Sequence, residues 1–136
     1  MSLIGRLHPL LVHFPIALVL TAGAAEIAET VTRAGHWRAI GVANLRAGAL
    51  MAVATVIAGL ELASASFEEV ASSLVWHRGA GVVATLAAIV TALIADRQTG
   101  RSLHTYRAML LVTVVLMTIT AHLGAALVWG WSFLWP

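Results

Sequence analysis

Leu7-His8-Pro9-Leu10-Leu11-Val12-His13-Phe14-Pro15-Ile16-Ala17-Leu18 places two histidines and two prolines at the head of a long apolar run. Histidine is costly in lipid, so within a membrane it faces the bundle interior or a water-filled cavity. Proline inside a helix removes a backbone hydrogen bond and kinks it. Two arrangements are open. In one, His8 caps a helix, Pro9 takes its first position and Pro15 bends it, leaving the Leu11 carbonyl without its usual partner. In the other, the regular helix starts at Phe14 with Pro15 in the first position. In both, His13 sits at irregular backbone, which at membrane depth needs protein or a cavity around it.

Working outward, the whole chain is apolar. Of 136 residues, 60% are hydrophobic and 10% charged, where a soluble domain carries about 25% charged residues. The class is an integral membrane protein. There is no cysteine, which excludes disulfides, iron–sulfur clusters, thiolate ligands and thioether-linked haem. All eight basic residues are arginine, and the net charge of +2 gives no sign of nucleic-acid binding. The first apolar run, with a single Arg6 ahead of it, is read as a retained helix and not a cleaved leader.

Four apolar runs stand out: Pro9 to Ala25, Ala47 to Leu60 with extensions to Ile40 and Ala63, Gly79 to Ala95, and Ala108 to Trp131. A spanning helix needs roughly 17–25 residues. The expected fold is therefore an all-α, single-domain transmembrane four-helix bundle, with spans at about 9–29, 42–63, 77–96 and 107–131. The connection from Ser64 to Arg78 carries Glu68, Glu69 and Trp76 and suggests a short interfacial helix. The first and second helix pairs each open near a histidine, a likeness too faint to count as a repeat.

Orientation follows from arginine. Arg33, Arg38, Arg46, Arg97, Arg101 and Arg107 flank the 1–2 and 3–4 connections, and only Arg6 and Arg78 lie on the other side. Both termini are expected outside the cytoplasm. Trp76, Trp129, Trp131 and Trp135 then gather at the outer interface, and Trp37 at the inner one. Glycines recur on every helix: Gly23, Gly48, Gly59, Gly79, Gly81 and Gly124. Small residues let helices approach closely; the alternative is that some make room for a flat cofactor.

Depth brings the histidines together. His8 lies at the outer surface and His13 about 7 Å deeper at 1.5 Å per residue. His77 sits at the mouth of the third helix, and His122 lies about 13 Å inside the outer end of the fourth. Glu61 closes the second helix on the same side. His36 and His104 fall in the arginine-rich inner loops and are read as surface residues. His8 and His77 alone are equally well read as interfacial caps. His122 and His13 interrupt or border apolar runs and are functional candidates by position.

Neutral imidazole suits iron, copper and zinc. Haem b held by two histidines needs imidazoles on different helices; His13 with His122 fits best on depth, then His77 with His122, then His8 with His77 as a shallower pair. Arg6 and Arg78 stand where haem propionates would emerge, and arginine bonds carboxylates strongly. Glu61 is expected inside the bundle, accepting a hydrogen bond from a ligating imidazole. A copper or zinc site from His8, His13, His77 and Glu61 ranks second.

His8 to Leu18 closely resembles the HPxxVHFPIAL signature of an uncharacterised bacterial membrane family, domain of unknown function 2231. Two further segments are similar: His77-Arg78-Gly79-Ala80-Gly81, and His122-Leu123-Gly124-Ala125-Ala126-Leu127-Val128-Trp129-Gly130, which resembles a closing HLGGxLVYG with Ala125 for the second glycine and Trp129 for the tyrosine. The resemblance covers nearly the whole chain. It implies a four-helix membrane domain in a bacterial inner membrane and, because relatives occur beside cytochrome c-like modules, leans toward redox work.

No nucleophile–base pair or phosphate-binding glycine loop is visible. The leading expectation is a small b-type cytochrome or subunit exchanging electrons near the outer face with a c-type cytochrome or a larger respiratory complex. The alternatives are a cofactor-free accessory or assembly subunit and a copper- or zinc-handling protein.

Overall fold

The prolines bend the first span without breaking it. A computed structural model of the chain describes residues 3–64, 72–96 and 99–133. Helix α1 runs Leu3–Leu11 and contains Pro9, and α2 follows at once over His13–Thr32. Between them Val12 keeps right-handed helical dihedrals, φ −57° and ψ −29°, and donates to the His8 carbonyl at 3.0 Å. The join falls where Pro15 has no N–H to offer the Leu11 carbonyl. Neither sequence-based start holds: the helix begins ahead of His8, and Pro15 is the third residue of α2. Proline's φ is already helical, so its cost here is one bond and a bend.

The remaining helices are α3 (His36–Ser64), α4 (Ser72–Ile94) and α5 (Arg101–Trp129), followed by a 3-10 turn at Trp131–Phe133. Four stretches are long and apolar enough to cross a membrane: Leu3–Thr32, His36–Ser64, Ser72–Ile94 and Arg101–Trp129. This is the expected all-α four-helix architecture. The helices outrun the apolar runs because hydropathy marks where lipid ends, and the backbone stays helical beyond it. The second half of the proposed interfacial helix, from Ser72, is instead the start of α4. Glu68, Glu69, Arg97 and Trp135 lie outside the described residues.

Buried positions follow a heptad-like rhythm of alternating four- and three-residue steps, which keeps one seam inward in a left-handed bundle. On α2 the seam is Pro15, Val19, Ala22 and Glu26; on α4 it is Ala84, Ala88 and Thr91, continued by Ala95 just past the helix end. On α3 it is Gly41, Leu45, Gly48, Ala52 and Thr55; on α5 it is Tyr106, Leu110, Thr113 and Met117, with half-buried Thr120 next. The two hairpins, α2–α3 and α4–α5, therefore carry one pattern twice. Exchanging α2 with α4 and α3 with α5 maps the seams onto each other. The contacts agree: α3 meets α4 as α5 meets α2, closing a ring. The faint likeness between helix pairs is an internal repeat in the packing.

Alanines supply most of the buried apolar positions, with Val19, Leu45, Tyr106, Leu110 and Met117 set between them. Ala22, Leu45, Ala95, Tyr106 and Leu110 form one cluster, and Val19, Ala52, Ala84 and Met117 another. Thr91 and Thr113 share a buried hydrogen bond of 2.9 Å between α4 and α5. Large apolar side chains point outward instead, among them Leu50, Leu86, Leu93 and Leu111. In water so wide an apolar surface would drive association; in a bilayer it is the face that meets the solvent, while small inward residues permit close helix packing.

Candidate functional site: a histidine pair between the two hairpins

The repeat extends to the histidines. His8 precedes the α2 seam by the same spacing with which His77 precedes the α4 seam. Each ring is half-buried and reaches the neighbouring long helix. His8 Nδ1 lies 3.0 Å from the Thr55 carbonyl on α3, and His77 Nδ1 lies 3.2 Å from the Thr120 carbonyl on α5. A carbonyl only accepts, so Nδ1–H donates in both, and each neutral ring keeps its Nε2 lone pair for another partner. One turn further along sits a glycine. A Cβ on Gly59 would stand 2.8 Å from His8 Cε1, and a Cβ on Gly124 would stand 3.0 Å from His77 Cε1. These glycines make room for imidazoles. Across the bundle the two rings face each other edge to face, centroids 6.3 Å apart and planes at 79°.

α1 is held in place by a third close approach. A Cβ on Gly5 would come within 2.9 Å of the Leu62 backbone nitrogen, so α1 lies directly against the end of α3.

The other expected site residues fall elsewhere. His13 is exposed. At about 100° per residue, a position five residues after His8 lies well round the helix from it. His122 is exposed too, two residues after the inward Thr120 and hence on the far side of α5; its ring meets Trp131 at 6.0 Å. Arg6 and Arg78 are exposed beside His8 and His77. Glu61 is exposed at the end of α3, not enclosed with the imidazoles; its carbonyl accepts the Ser64 hydroxyl. Among the described residues no group of three or more His, Cys, Asp or Glu is placed to hold an ion.

The match to family models decides the family, covering residues 6–133 with a model described as a predicted membrane protein, DUF2231. The chain belongs to the DUF2231 family. No curated protein and no solved structure shows significant similarity to it. In this DUF2231 member, sequence reading missed Thr55, Gly59 and Thr120 as partners of the histidines. The signal was present as Thr-x-x-x-Gly on both long helices, Thr55 to Gly59 and Thr120 to Gly124.

It also missed a polar cluster at the opposite end. Glu26, on the inward seam of α2, binds Arg38 Nη2 and Arg107 Nε, both at 2.8 Å. Arg107 Nη2 reaches Thr30 Oγ1 at 3.0 Å. Glu29 accepts the backbone N–H groups of Gly35 and Arg38. This cluster ties α2, α3 and α5 together where the arginine-rich connections begin. Its signal was a pair of acids closing an apolar run, since a buried charge needs a partner.

Proposed function

We propose that this membrane protein holds haem b between His8 and His77 and serves in electron transfer. The observation that carries the proposal is the facing pair of imidazoles, each with Nδ1 bonded to a backbone carbonyl. That bond fixes the tautomer and ring orientation of metal-bound histidine. Each ring has Nε2 left free by its Nδ1 bond, and the two centroids lie 6.3 Å apart, so both imidazoles would be available to one metal centre. A bare zinc or copper ion would need further protein ligands. A porphyrin brings four nitrogens of its own, so two histidines suffice. When bound, haem iron supplies a one-electron couple. The chain's own residues would hold the group through the His8 and His77 imidazoles, which the Thr55 and Thr120 carbonyls orient, with exposed Arg6 and Arg78 as partners for propionates.

The same proposal includes an orientation. Arg33, Arg38, Arg46, Arg101 and Arg107 belong to one end of the bundle, Arg6 and Arg78 to the other. By the positive-inside rule the histidine end faces away from the cytoplasm of a bacterial inner membrane. A redox partner such as a c-type cytochrome or a larger respiratory complex would meet it there. C-terminal reporter fusions active only on the cytoplasmic side would reverse this orientation.

The experiment is a visible spectrum of the full chain purified from haem-replete cells. Soret and α bands are expected in the wild type. His8→Ala and His77→Ala should each abolish them or leave five-coordinate iron, and His13→Ala, His122→Ala, His36→Ala and His104→Ala should not. A wild type with no Soret band overturns the proposal, and loss of haem on removing His13 or His122 alone moves the site.

A further inference from the structure

The polar end contains more positive charge than its ion pairs consume. A pocket between the end of α2 and the starts of α3 and α5 is lined by Glu29, Thr30, Arg33, Arg38, Leu103 and Arg107. Glu26 engages Arg38 and Arg107 from the side of the bundle interior, with its own side chain 8% exposed. Glu29 is occupied by two backbone N–H groups. Both carboxylates are thus turned to donors in the wall, and they hold the two guanidiniums in place. Among the described residues, no carboxylate pairs with Arg33. Arg33 ends α2 in the left-handed conformation at φ 54°, with its N–H on the Glu29 carbonyl. Glycine is the usual residue there; an arginine accepts the strain, and its side chain lines the pocket. Three guanidiniums against two carboxylates leave a surplus of one positive charge.

We infer that this pocket binds a phosphate anion, with Arg33 and the remaining donors of Arg107 as its ligands. Guanidinium forks match phosphate oxygens in geometry and charge. Location narrows the source. The pocket lies where the spans leave the apolar layer, and Ile27 and Val31 are exposed on α2 at the same end. On the orientation proposed above this is the cytoplasmic side, where basic pockets between membrane helices take anionic lipid headgroups. The exposed apolar side chains of α2 would lie beside the acyl chains of a lipid so held.

The test uses the full chain, stripped of lipid in detergent. Binding of phosphatidylglycerol, phosphatidylcholine and inorganic phosphate is measured by native mass spectrometry and by thermal shift. Phosphatidylglycerol is expected to bind at least tenfold more tightly than phosphatidylcholine. Arg33→Gln should weaken that binding about tenfold, the loss expected of one charge-assisted hydrogen bond. Arg101→Gln, an exposed arginine at the same end but outside the pocket, should change it less than twofold. Binding of inorganic phosphate with the same dependence on Arg33 would keep the site and assign it to a soluble anion. Equal binding of both lipids with no phosphate binding, or equal effects of Arg33→Gln and Arg101→Gln, would overturn the inference.

Discussion

Replacing single glycines by alanine in three helices should shift stability in opposite directions. In an ordinary helix Gly→Ala is stabilising by roughly 0.5–1 kcal/mol, because glycine has more backbone freedom to lose. Gly79 on α4 should show this, since a Cβ there meets nothing within 4 Å. Gly59 should not. Its Cβ would stand 2.8 Å from His8 Cε1 and 2.9 Å from Nδ1, so the imidazole must move. Moving it endangers the 3.0 Å bond to the Thr55 carbonyl, worth about 0.5–1.5 kcal/mol. Overpacking adds about 1–3 kcal/mol. Set against the helix gain, Gly59→Ala should cost about 0.5–4 kcal/mol net. Gly124 is less crowded, its nearest contacts being His77 Cε1 at 3.0 Å and Nδ1 at 3.4 Å, so Gly124→Ala should fall between. Equilibrium unfolding in mixed dodecylmaltoside–SDS micelles, followed by far-ultraviolet circular dichroism, measures all three. If Gly59→Ala stabilises the protein as much as Gly79→Ala does, the glycines do not accommodate the histidines and the reasoning fails.

Three further outcomes are expected in the same unfolding assay. Glu26→Gln should destabilise by about 2–3 kcal/mol, near the low end for breaking a buried ion pair because Arg38 and Arg107 keep some exposure. Asp96→Asn, which breaks the exposed pair with Arg46, should cost less than about 1 kcal/mol. Tyr106 is fully buried, and its hydroxyl is the buried side-chain atom without a hydrogen-bond partner among the described residues. Tyr106→Phe should therefore leave stability unchanged or raise it by about 1 kcal/mol; a clear loss would mean that another group satisfies the phenol.

Much of the fold was legible because membrane burial writes itself in runs of apolar residues. Four runs became four helices long and apolar enough to span, and the family expected from the signature around His8 matches over residues 6–133. What hydropathy does not record is azimuth. A membrane helix is apolar on every side, so the inward face is marked by small residues and not by polarity. His13 and His122 were expected at one depth, yet His13 lies five residues inward of His8 and His122 two residues outward of Thr120, and both fall on other faces. The seam of Gly41, Leu45, Gly48, Ala52 and Thr55 carried the missing information, repeated in Tyr106, Leu110, Thr113, Met117 and Thr120. Glu61 ended the right helix at the right end, but a helix terminus is not an interior.

The repeated hairpin distinguishes the two ends of the molecule by symmetry. Two identical hairpins assembled as a symmetric dimer would give a histidine pair from one histidine per subunit, with one threonine carbonyl and one glycine to seat it. The other end cannot arise that way. The counterpart of Glu26 is Ala95, that of Arg38 is Leu103, and that of Arg107 is Val42. In a single chain each half can carry its own residues, so an acid on one half meets two arginines without a duplicate of itself opposite. The histidine end keeps the twofold pattern of the two hairpins; the arginine end departs from it.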